Sequence, residues 1–498
     1  MSQAPISKAA RFARRVAFGW PADRDLPADA LEWAVSALQS PRQIALYEAN
    51  GQPRTDLPDW VTLRTSTDEV MTWFGKHEEA DLKLREEGKS LSKEAFAQSR
   101  RAKVLVPFYH VEHWKELQAR ASTAVTSQSP VFERFWHFWA NHFMVAPGNQ
   151  RIDTLVGPYQ RMLRSHMQGS YKDMLWHAVT HPAMLLYLDN NRSTGPNSTA
   201  ARVWRRRESI NENLGRELLE LFTLSPASGY TQQDVEQTTL ILTGWRENYP
   251  GRQMIAGAPY GTYFDFNRHE PGSQKVLGKT YSNLFRPSGK LESLIADLAS
   301  HPATADLLAR KLCTYFIADV PPPKAIDHVR SSYLSSGGNL LKVQTAVLEM
   351  VWEHLEGSKK LSTPESWLYQ WHVLTGASLP AESSALGFRP GGFRRDLSQM
   401  VKDLGHALPH CPQPDGWPIK SADWISKELL DRRLRFSLVM AGDLRRADRL
   451  SAGLVQQIMD REVPEGSPSR AVVRDALSAH QVPRALALLM IAPELLWS

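Results

Sequence analysis

Cysteine is nearly absent from this chain. Only Cys313 and Cys411 occur, far apart and without CxxC spacing, which argues against a disulfide framework or a thiolate metal site and leaves both as buried apolar side chains. Long apolar runs are missing too, since no stretch approaches the roughly eighteen residues of a membrane span. The opening "MSQAPISKAARFARRVAFGWP" is basic but lacks the apolar centre of roughly seven to fifteen residues that a secretory signal needs, so the chain as written is expected in the cytoplasm. Charge of one sign is not in large excess. The 59 basic and 53 acidic residues leave a net charge of +6, and apart from Arg205, Arg206 and Arg207 it is spread along the chain, a balance that speaks against nucleic acid as a partner. Also absent are the GxSxG elbow, the GxxxxGK[ST] loop, HExxH and a strand-linked GxGxxG, which argues against the common hydrolase, nucleotide and zinc-protease mechanisms.

What is there is helical patterning. Apolar residues recur at three- and four-residue spacing through "LEWAVSALQS", "YKDMLWHAVT", "DVEQTTLILTGW", "LESLIADLAS", "ADLLARKLCTYFIADV" and "RALALLMIAPELLWS", each an amphipathic helix pattern. Strand alternation is confined to Gly251–Tyr281, where "GTYFDF" and "KVLGKTY" lie between Gly, Pro and Asn turns. With 498 residues and 42% hydrophobic content a large core is available. The expected fold is mainly α, a multi-helix globular fold with a small β-hairpin insertion.

Polar segments punctuate it. Lys83–Lys103 reads as a charged helix or connector, and Asp189–Ser209, rich in Ser, Asn, Gly and Arg, as a long loop of the kind that often serves as a lid or binding loop. "DVPPPK" at Asp319–Lys324 marks the expected boundary between a motif-rich helical domain at 1–320, with its hairpin insertion near 251–281, and a C-terminal helical region at 321–498 packed on it. An internal echo, His181-Pro182-Ala183 and His301-Pro302-Ala303, places proline at the first turn of two helices, with both histidines read as caps.

Three stretches carry candidate chemistry. In "NENLGRELLELFTL", Asn211–Leu224, Glu212, Asn213, Arg216, Glu217 and Glu220 share one arc of a helical wheel and leucines fill the rest. Ser209-x-x-Glu212 has capping-box spacing, and Arg216 between Glu212 and Glu220 forms an i, i+4 ladder. Glu217, Glu220 and Asn213 exceed what a solvated face requires, and Thr223 is placed to reach the same region. In "ERFWHFWANHF", Glu133–Phe143, the face of Phe132, Phe135, Trp136, Trp139 and Phe143 opposes His137 and Asn141, with His142 on the aromatic edge and so held neutral by desolvation. In "FDFNRHEPGSQKVLG", Asp265, His269, Glu270 and Lys275 gather near the predicted hairpin. Their spacing is that of neither HExxH nor an EF-hand, so no metal ligand set and no cofactor are assigned.

These blocks, with "AARFARRVAFGWP", "HPAMLLYLDNNRSTGPNS", "GYTQQDVEQTTLILTGW", "HPATADLLARKL" and "PDGWP", resemble in content and order the large bacterial family known as domain of unknown function 1800, over nearly the whole chain. The resemblance implies importance for Asn141, His142, Asn190, Asn197, Asn211, Glu212, Asn213, Arg216, Glu217, Glu220 and His269, but supplies no reaction. Two departures stand out: Ser225-Pro226 replaces the usual glycine after the acidic helix, and Glu270 stands where aspartate is more usual. Relatives often look exported and often accompany sulfatase-like proteins, which by association implies such a partner and polysaccharide metabolism.

The leading expectation is a hydrolase acting on a glycan or other polar polymer, with Glu217, Glu220 and His142 as catalytic residues and Asn141, Asn190, Asn197, Asn211, Asn213, Arg216 and His269 binding. Sixteen tryptophans offer faces for sugar rings. The competing readings are a non-catalytic assembly protein held by a buried Asn/Glu/Arg network, and a metal-dependent hydrolase using His142, His269 and a glutamate.

Overall fold

The computed structural model describes residues 7–41, 66–72, 108–127, 129–148, 150–203, 210–248, 261–282, 285–377, 397–408 and 410–498, with isolated positions between them. Arg205, Arg206, Arg207, Ser209 and nearly all of Lys83–Lys103 lie outside the described residues. The chain is mainly helical, as the apolar periodicity required.

Among the described residues the helices pack into two large hydrophobic bodies and a small third cluster of Met144, Ala146 and Cys411. One gathers buried residues from Phe12 to Leu355; the other gathers Leu361 to Leu496 and borrows Phe18, Leu117, Ala121 and Ala124 from earlier in the chain. Pro323–Ser335 and Leu340–His354, which follow the Asp319–Lys324 segment, pack into the first body. Asp319 itself turns toward the second, accepting from the Ser421 amide at 2.8 Å and pairing with Lys360.

The aromatic helix, Pro130–His142, runs between the bodies. Its Phe132, Phe135, Trp136 and Trp139, followed by Phe143, enter the first core, each contributing about 1.5–3 kcal/mol by burial. The opposite side is no solvated face. His137 is 2% exposed, with its ring 5.2 Å from Phe18 and 5.7 Å from Tyr369 of the second core. Helical periodicity separates two faces, but only a second packing layer decides that both are buried.

The first helix, Lys8–Val16, ties the ends together. Arg14 pairs with buried Glu462, and Arg15 donates to the carbonyls of Phe316 and Ile317 and, at 3.0 Å, to the Ser498 hydroxyl. Both histidines of the His-Pro-Ala echo cap their helices: Nδ1 of His181 accepts from the Ala183 amide, and that of His301 from the Ala303 amide, each at 3.1 Å.

Among the described residues strands are few and short. The two alternating segments do not pair with each other. β1 (Trp245–Asn248) pairs antiparallel with β2 (Gly261–Phe264), and β3 (Gln274–Val276) with β4 (Lys279–Tyr281). The insertion is thus two small two-stranded sheets, the first recruiting residues that end the preceding helical block.

Candidate functional site

The acidic helix begins at Asn213 and stays α-helical only to Glu217; Leu218–Thr223 is a π-helix. The widened turn is held by the Leu224 amide on the Leu219 carbonyl at 2.7 Å, and by the Thr223 hydroxyl on the Leu218 carbonyl at 2.6 Å. Thr223 is therefore spent inside the helix and contributes nothing to its polar face. The π turn also breaks the expected ladder. Arg216 pairs with Glu212 at 2.9 Å, while Glu220 accepts from the Tyr230 hydroxyl at 3.3 Å, because each residue in an i→i+5 turn advances less around the axis than in an α-helix. At the start, Asn211 accepts from the Asn213 amide at 3.0 Å, while the Ser209 end of the expected capping box lies outside the described residues.

Glu217, at the α/π junction and partly exposed, is the unusual group of this helix. Its carboxyl makes no side-chain hydrogen bond or ion pair among the described residues. Burial, followed by the charges of Glu220 and Asp415, pushes its pKa up to about 7, against opposing contributions from Arg216 and Lys311. Lys311, on the helix Pro302–Phe316, is its cationic neighbour. Burial lowers this ammonium to about 8, with Asp415 and Glu217 pulling the other way.

Behind Lys311 runs a hydrogen-bonded chain. Lys311 Nζ reaches the Leu221 carbonyl at 3.1 Å and His142 Nδ1 at 3.4 Å; His142 Nε2 lies 3.2 Å from the Tyr171 hydroxyl, which donates to the Phe222 carbonyl. Burial, then Lys311, holds the His142 pKa well below the ordinary histidine value. A neutral ring accepting at Nδ1 and donating at Nε2 satisfies every member of the chain. His142 is 4% exposed among the rings of Phe138, Trp139, Phe143 and Phe222.

Asp415 is carried by a loop far along the chain. Asn141 clamps its loop, donating to the Trp417 carbonyl at 2.9 Å and accepting the Trp417 amide at 2.8 Å. Gly416 has φ +83°, and a Cβ there would overlap the Asn141 carbonyl oxygen, so only glycine permits this approach. Tyr187 and Trp417 pack beside Cys411, and burial pushes the Tyr187 hydroxyl up to about 12, with Cys411, Glu217 and Asp415 adding to the shift.

The other residues expected at the site form a separate group. Asn190 is fully buried and donates to the carbonyls of Leu242 at 3.2 Å and Trp245 at 2.9 Å. Asn197 grips Glu270 twice, through its amide at 2.9 Å and its side chain at 2.7 Å. Gly195 lets the loop close on this turn, since a Cβ would lie 2.6 Å from the Glu270 amide nitrogen. The His269 ring approaches the Thr243 carbonyl at 2.7 Å through Nδ1, and burial lowers its pKa to about 4. Lys290 closes the turn on the Gly272 carbonyl at 2.8 Å. Asp265 lies against Arg268 at 3.6 Å, and Lys275 is exposed. Asn211 joins the two groups through Ser193 at 3.1 Å, and Asn213 is exposed. Among the described residues no three His, Cys, Asp or Glu side chains are grouped to hold a metal ion.

Lys311 and Asp415 join the group although neither is among the residues expected there from sequence. A signal existed for the first: Leu308 and Tyr315, three before and four after, put this lysine on a buried face. Asp415 carried none beyond its place in "PDGWP".

The fold and site together define a class: a mainly helical protein that builds a carboxylate–lysine centre at a π-helix from four segments distant in sequence. The chain belongs to the family described as "Protein of unknown function (DUF1800)", whose model matches residues 11–497. No curated protein and no solved structure matches it. Among the described residues no helix is long and apolar enough to cross a membrane.

Proposed function

We propose that the Glu217 group is a general acid–base centre acting on a polar polymer, in first place a glycan. The observation that carries the reading is Glu217 itself: a carboxyl without a side-chain hydrogen bond among the described residues, partly exposed, and raised to about 7 by burial and by Glu220 and Asp415. Such a group holds a proton at neutral pH and gives it to a leaving oxygen, while a second carboxyl group activates water or stabilises positive charge. Glu220 fills the second role, with Asp415 on the facing loop. Lys311 balances the carboxylates, and His142, sealed behind it, positions its ammonium. Tyr187, Tyr230 and Trp417 offer aromatic surface for sugar rings. The association of relatives with sulfatase-like proteins supports the same substrate class and makes such a protein the proposed partner.

The test is a screen of polysaccharides for released reducing ends. Once a substrate is found, Glu217→Gln is expected to lower kcat by about 10²–10⁴-fold. Full activity in both Glu217→Gln and Glu220→Gln would sink the reading.

A structural role is the better reading for Asn190, Asn197, Glu270 and His269. Apart from Asn190 Oδ1 and His269 Nε2, their polar atoms are spent on one another and on backbone among the described residues, which supports a clamp holding the 189–203 segment to the sheets.

A further inference from the structure

The partners of Lys311 fix more than its position. The Tyr171 hydroxyl donates to the Phe222 carbonyl, so it accepts from His142 Nε2. His142 Nδ1 is then an acceptor and takes one N–H of Lys311, at 3.4 Å. A second N–H goes to the Leu221 carbonyl at 3.1 Å. The π turn leaves that carbonyl without a backbone donor, because the Ser225 amide is turned to the Leu219 carbonyl and Pro226, five residues on, has no N–H. Both acceptors are uncharged. Among the described residues no third hydrogen bond and no ion pair reaches Lys311 Nζ.

Lys290 provides the contrast. Its nitrogen spends three hydrogens, on the carbonyls of Glu270 at 3.2 Å and Gly272 at 2.8 Å and on Gln274 Oε1 at 2.7 Å, and so serves as a fixed cation. Lys311 is partly exposed. It keeps both of its bonds when the third proton leaves, and its neutral form then carries a lone pair at the open position. Burial, which lowers this ammonium to about 8, makes that form available near neutral pH. Glu217 and Asp415 are its acidic neighbours, and the Glu217 carboxyl can give and retake a proton. A partly desolvated lysine amine beside a proton carrier is suited to addition at carbonyl groups.

We propose that Lys311 is a nucleophilic amine that forms an imine with an uncharged hydroxyaldehyde or hydroxyketone. The lone pair of the nitrogen forms the C–N bond while the carbonyl π pair moves to oxygen, which takes the Glu217 proton. The nitrogen then returns a proton to the Glu217 carboxylate. That proton leaves with the hydroxyl as water as the nitrogen lone pair closes C=N, leaving a protonated imine beside a carboxylate. Nothing is oxidised or reduced; amine and carbonyl become imine and water. Three carboxyl groups, Glu217, Glu220 and Asp415, against one lysine disfavour an anionic keto acid and select the uncharged class, to which the open-chain end of a sugar belongs. The proton steps rest on the Glu217 reading, whereas the amine addition rests on Lys311.

Reductive trapping of the full chain tests this. Glycolaldehyde with cyanoborohydride at about pH 7, followed by proteolysis and mass spectrometry, is expected to place a hydroxyethyl group on Lys311 about tenfold or more faster than on exposed Lys172 and Lys275. Glyoxylate, an anionic aldehyde, is expected to favour Lys311 over the same two lysines less than glycolaldehyde does. Glu217→Gln, checked for fold by circular dichroism, is expected to slow the Lys311 reaction by about tenfold or more. An unchanged rate in that variant leaves the amine in place and removes the acid–base reading. Glycan cleavage lost in Glu217→Gln while wild-type Lys311 stays unreactive does the reverse. The proposal is overturned if Lys311 is trapped no faster than Lys172 and Lys275, or if glyoxylate is the more selective reagent for it.

Discussion

Glu217 and Glu270 both lie in blocks rich in asparagine, yet their surroundings give them opposite roles. Glu270 has both oxygens taken by Asn197. Glu217 has no such partners and holds its proton more firmly when folded, about 7 against the ordinary 4.5. Below the lower value both states are protonated and the carboxyl has no effect on stability. As pH rises through the window the unfolded chain ionises first, so stability falls, and the loss is complete above the upper value. Glu217→Gln is therefore expected to be more stable than wild type at about pH 8, by about 1 kcal/mol after allowance for solvent screening, and equal to it at about pH 4. Thermal melts at the two pH values check this, and a constant difference would contradict it. The Lys311 charge lowers Glu217. Lys311→Met is thus expected to move the alkaline limb of any pH–rate profile upward, and an unmoved limb would remove Lys311 from the site.

At the scale of the element, the π-helix is where the local sequence rules fail. The wheel assembled the right polar face, but it assumed α geometry throughout and so paired Glu220 with Arg216. The stop of this helix is unusual too. Ser225 has φ +71° and ψ 155°, a region nearly confined to glycine that costs other residues about 1–3 kcal/mol. Ser225→Gly is expected to stabilise the protein by about 1 kcal/mol, less than the full strain because glycine adds freedom to the unfolded chain. Chemical denaturation measures it, and a destabilised variant would show that the serine side chain contributes more than its backbone strain costs.

At the scale of the molecule, the site exists because the chain's distant parts are pinned together. The aromatic helix serves both bodies, with His142 on the Lys311 side and His137 against Phe18 and Tyr369 of the second core. Asn141 at the same end holds the loop that delivers Asp415. Gly416→Ala is expected to displace that loop, through the positive φ and the overlap with the Asn141 carbonyl. Loss of the Asp415 charge then lowers the Glu217 pKa, with a stability loss of about 1–3 kcal/mol. Carboxyl titration by NMR reads the first effect, and an unchanged Glu217 would contradict the placement of Asp415.

The sequence by itself determined the elements: helices from apolar spacing, the His-Pro-Ala caps, the acidic and aromatic faces, and the family. These are legible because periodicity and capping act over a few neighbouring residues. Tertiary structure alone decided which glutamate stands in excess, that Lys311 and Asp415 join it, that His137 faces a second core, and that Asn190, Asn197 and His269 form a clamp apart from it. Burial and charge at a side chain depend on groups brought near by packing, and no spacing along the chain encodes them.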